Sequence, residues 1–368
     1  MTRLTLVAVL LAASWARALP ETAAYAQDRR ALAESYYFDH RVMETLVGRG
    51  GVHLSAVSFP TAASDVAVVI LGGRTESHLK YTEVFYDLRD WGYSLYMYDH
   101  RGQGLSQRLL EDPERQHVEH FQDYVDDLGT FLDTVVARGE HRKVFILAHS
   151  MGGLIATRLL ERETHAVDAL VLCAPMHRFY TAPFPEPVAQ GLGWGGVLTA
   201  QGDEYGLTQG GFEHGEFADN RVSRSRVRWE FNQALPDRYP QLRMGGVTYR
   251  WVQQAFGAAG SARREARRLL APTLILQSGA DTVVRNDGQD AVCRAARDCT
   301  RQQLPGARHE LLMEIDATRD EVLSRAHAFL EQQRTNDWHA EVTGCTSAGG
   351  AVGWAVLVVA LGLARRRR

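Results

Sequence analysis

The stretch VFILAHSMGGLIATRLL, residues 144–160, switches from one periodicity to another within a few positions. Val144-Phe145-Ile146-Leu147 is a short continuous apolar run, the pattern of a strand buried on both faces. Leu154-Ile155-Ala156 opens a helical run. Between them lies Ala148-His149-Ser150-Met151-Gly152-Gly153, so a strand must turn sharply into a helix with Ser150 at the bend. Small residues two before and two after the serine relieve the crowding of such a turn. Glycine suits both positions best, and alanine at 148 adds only one methyl group. Gly152 and Gly153 then allow the helix to lie close to the strand.

The same alternation runs through most of the chain. Strand-like runs occur at residues 53–59, 66–71, 94–98, 144–147, 169–173, 273–277 and 300–304. Helix-like segments at 81–91, 121–138, 152–162, 287–297 and 318–334 separate most of them, and a polar, helical leader spans 27–49. Nearly continuous apolar strands alternating with helices predict an α/β fold, a mainly parallel sheet flanked by helices. One region breaks the rhythm. Residues 176–244 are rich in Pro, Gly, Arg and aromatics, and precede a helix-like segment at 248–259. Disordered segments are poor in aromatics, so this region is expected to be an inserted cap.

A small-x-Ser-x-Gly turn between strand and helix is the nucleophile elbow of serine hydrolases. That arrangement requires an acid after a late strand and a histidine after the last one. Strand 273–277 runs into Ser278-Gly279-Ala280-Asp281, and strand 300–304 into Pro305-Gly306-Ala307-Arg308-His309. Ser150, Asp281 and His309 are therefore the expected nucleophile, acid and base. Asp281 is also a plausible turn residue, Asp287 lies nearby, and His149 and His327 are the other histidines weighed. The oxyanion needs two main-chain donors. Met151 N–H follows the nucleophile, and Gly72-Gly73-Arg74 follows strand 66–71, which nominates Arg74 N–H. Phe179, Tyr180 and Trp194 in the inserted region are candidate substrate-binding residues. Arg178, Arg221 and Arg224 are candidates for meeting a phosphate, although each taken singly reads more readily as solvated surface charge.

The segments ILGGRTESHLKYTEVFYDL, YDHRGQGLSQR, YVDDLGTFLD, ILAHSMGGLIATRLL, LCAPM and GGVTYRWV, in this order, resemble the bacterial lysophospholipase and monoacylglycerol lipase family. The resemblance extends over residues 66–330. It implies an α/β-hydrolase with a cap at 176–244, and hydrolysis of single-chain lipid esters without a cofactor. Many monoacylglycerol lipases have His-Gly where this chain has Gly72-Gly73, which moves the match towards the lysophospholipases. Two rivals stand beside this expectation. One is a general carboxylesterase or serine peptidase on the same scaffold; the other is a non-catalytic surface binding protein.

Composition narrows the classes further. The formal net charge of −3 gives no electrostatic case for nucleic acid. No Cys/His spacing resembles a zinc site. Basic residues are arginine except Lys80 and Lys143, which reads as compositional bias. The ends carry export features. A basic start, a short apolar run and Ala16-Arg17-Ala18 form a signal-peptide pattern over 1–18, with a second small-x-small site ending at 26. The hydrolase domain is then expected at 27–334 and a linker at 335–348. The apolar tail 349–368 ends in four arginines, and its Cys345 and Gly-Gly features resemble bacterial sorting signals. Its apolar helix would cover about 24 Å, and the arginines favour a cytoplasmic end. An exported protein anchored in the cell envelope by this tail is the expected topology. Cys173 reads as a buried thiol, and the spacing of Cys293 and Cys299 leaves open whether they form a small disulfide.

Overall fold

The computed structural model describes residues 23–62, 64–162 and 167–339. Its strands are β1 (Val42–Val47), β2 (His53–Phe59), β3 (Val66–Leu71), β4 (Ser94–Tyr98), β5 (Lys143–His149), β6 (Ala169–Cys173), β7 (Thr273–Ser278) and β8 (Cys299–Leu304). They form one sheet in the order β1-β2-β4-β3-β5-β6-β7-β8. From β4 to β8 every neighbouring pair is parallel, while β2 is antiparallel to both β1 and β4. The fold is that of the α/β-hydrolases. β3 and β6 are buried along their whole length, as their unbroken apolar sequences require, and β7 is buried likewise around Leu274-Ile275-Leu276. Each fully buried Val, Leu or Ile side chain there stabilises the fold by about 1.5–3 kcal/mol.

Flanking helices follow the expected segments closely: α2 (Thr82–Leu88), α3 (Phe121–Thr134), α4 (Ser150–Leu160), α7 (Tyr249–Glu265), α8 (Asn286–Ala295) and α9 (Asp316–Gln333), with α1 (Ala23–His40) at the start. The leader is not helical throughout. α1 stops at His40, and β1 follows on the edge of the sheet. Only Leu46 of β1 is buried, so main-chain pairing with β2, and not a buried face, holds the strand. At the opposite edge, β8 buries only Leu304 fully, and a Cys293–Cys299 disulfide with a Cα separation of 5.2 Å ties α8 to its start.

The segment between β6 and β7 adds two helices before α7: α5 (Glu186–Leu198) and α6 (Arg226–Arg238). α5 packs along α7. The last described residues, expected to begin a linker, pack instead. Trp338 is buried and its indole N–H donates to Asp168 O at 3.0 Å. Lys143 Nζ donates to Asp168 Oδ1 (2.8 Å) and to Asn336 O (2.7 Å). These contacts lie at the strand starts. The expected signal segment 1–18 and tail 349–368, with Cys345, lie outside the described residues. Among the described residues no helix is long and apolar enough to cross a membrane.

Candidate active site

Parallel strands deliver their following loops to one edge of the sheet. β3, β5, β7 and β8 therefore present residues 72–76, Ser150, Asp281 and His309 together. β5 ends at His149 and α4 begins at Ser150, whose φ of 50° lies in the left-handed region. Such a conformation is strained for a residue with a side chain and holds the serine out of the regular path. Glycine at 152 is obligatory here, because a Cβ would come within 2.5 Å of Gly72 O. A Cβ at Gly153 would meet Pro175 Cβ at 2.8 Å. Ala148 is fully buried, with its methyl group accommodated.

Ser150 Oγ lies 3.0 Å from His309 Nε2, and His309 Nδ1 lies 2.8 Å from Asp281 Oδ2. The carboxylate accepts from Nδ1–H, which leaves Nε2 free to accept from the serine hydroxyl. Asp281 also fulfils the turn role, since its Oδ1 accepts from the Val283 and Val284 N–H groups at 2.8 and 2.9 Å. Those bonds fix the carboxylate before histidine is considered. Asp287 is engaged elsewhere, by Arg178 and Arg285. His327 sits on α9 with its ring 4.7 Å from Trp91. His149 places its ring 4.7 Å from His309 and its Nδ1 3.1 Å from Cys173 O. Burial lowers its pKa to about 4, so it adds no charge beside the reacting pair near neutral pH.

The loop after β3 touches the serine directly: a Cβ on Gly73 would lie 3.2 Å from Ser150 Cβ. Its main-chain groups are almost all engaged. Gly73 N–H donates to Glu76 Oε2, and Thr75 N–H to Gln103 Oε1 at 3.2 Å. Gln103 Nε2 donates back to Gly73 O and Glu76 O, and His100 Nε2 to Gly72 O. Among the described residues the Arg74 N–H meets no acceptor. Met151 N–H, in the first turn of α4, has no intrahelical acceptor either. The Arg74 side chain turns away to Gln116 Oε1 at 3.0 Å.

A Ser–His–Asp relay beside a glycine loop recurs on unrelated folds, so its geometry alone does not name a family. The family model described as serine aminopeptidase, S33, matches residues 62–316. The chain belongs to this family. It is 39% identical over 282 residues to lysophospholipase L2 of Escherichia coli strain K12, across 75% of this chain and 82% of that one. It is 29% identical over 311 residues to the probable lysophospholipase L2 of Haemophilus influenzae, across 82% and 96% of the two chains. A soluble variant of the Saccharomyces cerevisiae monoglyceride lipase has a similar fold, with a TM-score of 0.63 and 15% identity over 80% of this chain and 96% of that one. The chain is a carboxylic ester hydrolase.

A cavity of about 250 Å³ lies between the loop after β3, Glu310 and the insertion, and no relay residue is among its lining. Thr75, Glu76, Lys80 and Glu310 line its core side; Phe212, Trp229, Leu235, Leu242 and Met244 line the side formed by the insertion. Phe179, Tyr180 and Trp194, the expected substrate-binding residues, do not line this cavity. Phe179 packs on Phe256 and bridges to Val284, beside the Asp281 turn. Tyr180 is half exposed, with Arg285 over its ring. Trp194, also half exposed, lines a separate groove with Phe121, Arg158 and Gln253 that contains none of the relay. Aromatic content alone does not tell which face a cap residue presents. Of the three arginines, Arg178 is bound to Glu186 and Asp287, Arg224 to Glu314, and Arg221 is exposed.

No motif assigns a role to Glu76, Lys80, His100, Gln103 or Glu310. All but Glu310 lie in the family-like segments, and Lys80 is conspicuous as one of two lysines. Among the described residues, His117, Glu119 and Asp203 bring donor atoms within 4.8 Å of one another. Arg250 lies 3.5 Å from Glu119 and already supplies positive charge there. None of these four takes part in the relay.

Proposed function

We propose that this hydrolase cleaves the acyl ester of lysophospholipids or monoacylglycerols through an acyl-enzyme on Ser150. The observation that carries the reading is the continuous Ser150–His309–Asp281 hydrogen-bond relay. His309 takes the serine proton as Oγ attacks the ester carbonyl, and Asp281 stabilises the imidazolium. The Arg74 and Met151 N–H groups receive the developing oxyanion. His309 then protonates the departing glycerol oxygen. Water activated by the same imidazole releases the fatty acid and restores the serine. The names of the relatives favour this substrate class, and Phe212, Trp229, Leu235, Leu242 and Met244 supply apolar wall for a single acyl chain.

A second reading, an aminopeptidase, is favoured by the description of the matching family. Such an enzyme must hold a free ammonium. Glu76 and Glu310 at the cavity are already paired with Lys80, which leaves Glu213 as the unpaired carboxylate among the cavity-lining residues. Turnover of lysophosphatidylcholine, monoacylglycerol, short aryl esters and aminoacyl amides separates the readings. Faster cleavage of the amides than of the lipids would refute the lipid assignment. A fluorophosphonate probe tests the nucleophile, and failure to label Ser150 in folded protein would refute the serine mechanism.

Export and anchoring belong to the same proposal. The apolar start and the apolar, arginine-ended tail support it, and a disulfide between Cys293 and Cys299 suits an oxidising compartment. Deleting residues 349–368 should move activity from the membrane fraction to the soluble fraction; an unchanged distribution would count against the anchor.

A further inference from the structure

Forty-one positions of the chain are Lys or Arg, and only Lys80 and Lys143 are lysine. A chain that otherwise answers every need for positive charge with arginine makes its two exceptions informative. Lys80 lies in the segment that leads into α2, with 9% of its side chain exposed. Its ammonium sits between two carboxylates, 2.6 Å from Glu76 Oε1 and 2.8 Å from Glu310 Oε1.

Each of those carboxylates belongs to a different catalytic loop. Glu76 is four residues from Lys80, and its second oxygen accepts from Gly73 N–H and from Tyr81 OH. It thereby holds the peptide unit preceding the Arg74 N–H. Glu310 directly follows His309, and its own N–H donates to Val222 O of the insertion at 2.7 Å. One ammonium thus connects the donor loop, the histidine loop and, through Glu310, the insertion. Burial opposes ionisation of Glu76 and Lys80, but the attraction of opposite charges prevails. The Glu76 carboxyl is held down to about 2, and the Lys80 ammonium is held above its ordinary range.

We propose that Lys80 is a positioning residue of the reaction: its ammonium clasps Glu76 to Glu310 and so fixes the spacing between the Arg74 N–H and the His309 imidazole. This rests on the serine-hydrolase reading of the site. A compact ammonium directs its donors tetrahedrally and can sit between two carboxylates on different loops. A guanidinium is larger and planar, and prefers a single carboxylate held side-on. The position therefore resists the arginine that the rest of the chain uses. The clasp does not touch the reacting atoms. It acts on the transition state because a donor displaced by about 1 Å can lower turnover about 100-fold while ground-state binding persists.

The test uses the full chain and a short p-nitrophenyl ester, with Lys80→Met, Lys80→Arg and Glu310→Gln beside wild type. The readouts are kcat, KM, the thermal midpoint, and the affinity for a trifluoromethyl ketone, which forms a tetrahedral adduct on the serine. Both Lys80 variants should lose roughly 10- to 100-fold in kcat, with KM within about 3-fold of wild type. Affinity for the ketone should fall by the same factor as kcat. Glu310→Gln keeps the Glu76–Lys80 pair and weakens only the link to the histidine loop, replacing a carboxylate acceptor with a neutral amide oxygen. It should lose less kcat than Lys80→Met, again with ketone affinity falling in parallel, and it serves if Lys80→Met does not fold. Wild-type turnover in either Lys80 variant, or wild-type kcat and ketone affinity in Glu310→Gln, would overturn the proposal. Failure of the fluorophosphonate to label Ser150 in wild type would instead remove the serine-hydrolase reading beneath it.

Discussion

The two lysines of this chain occupy opposite ends of the sheet, and they differ in what they join. Lys80 lies at the end where the strands deliver their catalytic loops, between carboxylates on two of those loops. Lys143 lies where β5 begins. It joins Asp168, just before β6, to the main chain at Asn336 after the last helix. Asp168 meanwhile accepts from Val144 N–H and, through its carbonyl, from the Trp338 indole. The chemistry is alike and the consequences are not. A buried ion pair is weak testimony to stability on its own, because desolvation opposes the attraction. What decides its role is whether the groups it joins must merely stay together or must also be spaced for a reaction. Substitutions at the loop end should therefore lower turnover per folded molecule, whatever they do to stability, and substitutions at the opposite end should lower stability alone.

The largest effect that could break this contrast is expected at Ser150. Ser150→Ala should lower kcat by about 10⁶-fold. Because it removes only a hydroxyl, its thermal midpoint should match that of wild type; a large drop would show that the loop end is structural as well. Asp281→Asn should follow, with kcat reduced about 10⁴-fold. Its amide can still accept from Val283 and Val284, so circular dichroism should report an intact fold. At the other end, Lys143→Met leaves the Asp168 carboxylate without its ammonium. Urea unfolding should show a loss of about 3–5 kcal/mol, with kcat per folded molecule unchanged. A fall in kcat with full stability would erase the distinction.

Smaller effects sharpen it. Cys299→Ser opens a loop of only a few residues at the start of β8, so the loss should be about 2 kcal/mol, again without a change in turnover. Glu161, which follows the last turn of α4, is read through pH. One oxygen takes Arg158, while the other is buried without a donor among the described residues. Burial raises its pKa from 4.5 to about 8. The folded state therefore keeps a proton that the unfolded chain releases above pH 4.5, and stability declines as pH rises from there through about 8. Glu161→Gln should flatten the decline in melting temperature over this interval; an unchanged slope would contradict it.

Legibility in the sequence follows the same division between kinds of force. Strands buried on both faces leave continuous apolar runs, so β3 to β8 were readable to within a residue or two, β8 from its place in the alternation. β1 was not, because only Leu46 is buried and main-chain pairing carries the strand. α5 was hidden by its glycines at 191, 193, 195 and 196, which are poor helix formers. Two of them are there for packing against α7. A Cβ at Gly196 would fall 2.3 Å from Tyr249 Cγ, and one at Gly193 would fall 3.1 Å from Gln253 N. α6 carries Pro236 within it. In the site, Ser150, Asp281 and His309 were legible because each follows the end of a strand. His100 and Gln103 were not, because they act through hydrogen bonds to the main chain of a loop some thirty residues earlier. No local pattern records such a bond.

Gly152 carries a last consequence. With a Cβ only 2.5 Å from Gly72 O, the helix that bears the serine and the loop that offers the second donor meet main chain to main chain. Side chains can change rotamer or identity and so retune a gap between two elements, but backbone in contact with backbone leaves no such freedom. The spacing between the two proposed oxyanion donors is therefore inherited with the fold and closed to gradual adjustment. The cavity beside Glu76 and Glu310 has instead a wall of side chains, Phe212, Trp229, Leu235, Leu242 and Met244 among them. Such a molecule can diversify in what it accepts by exchanging residues of that wall, while the chemistry it performs stays constant.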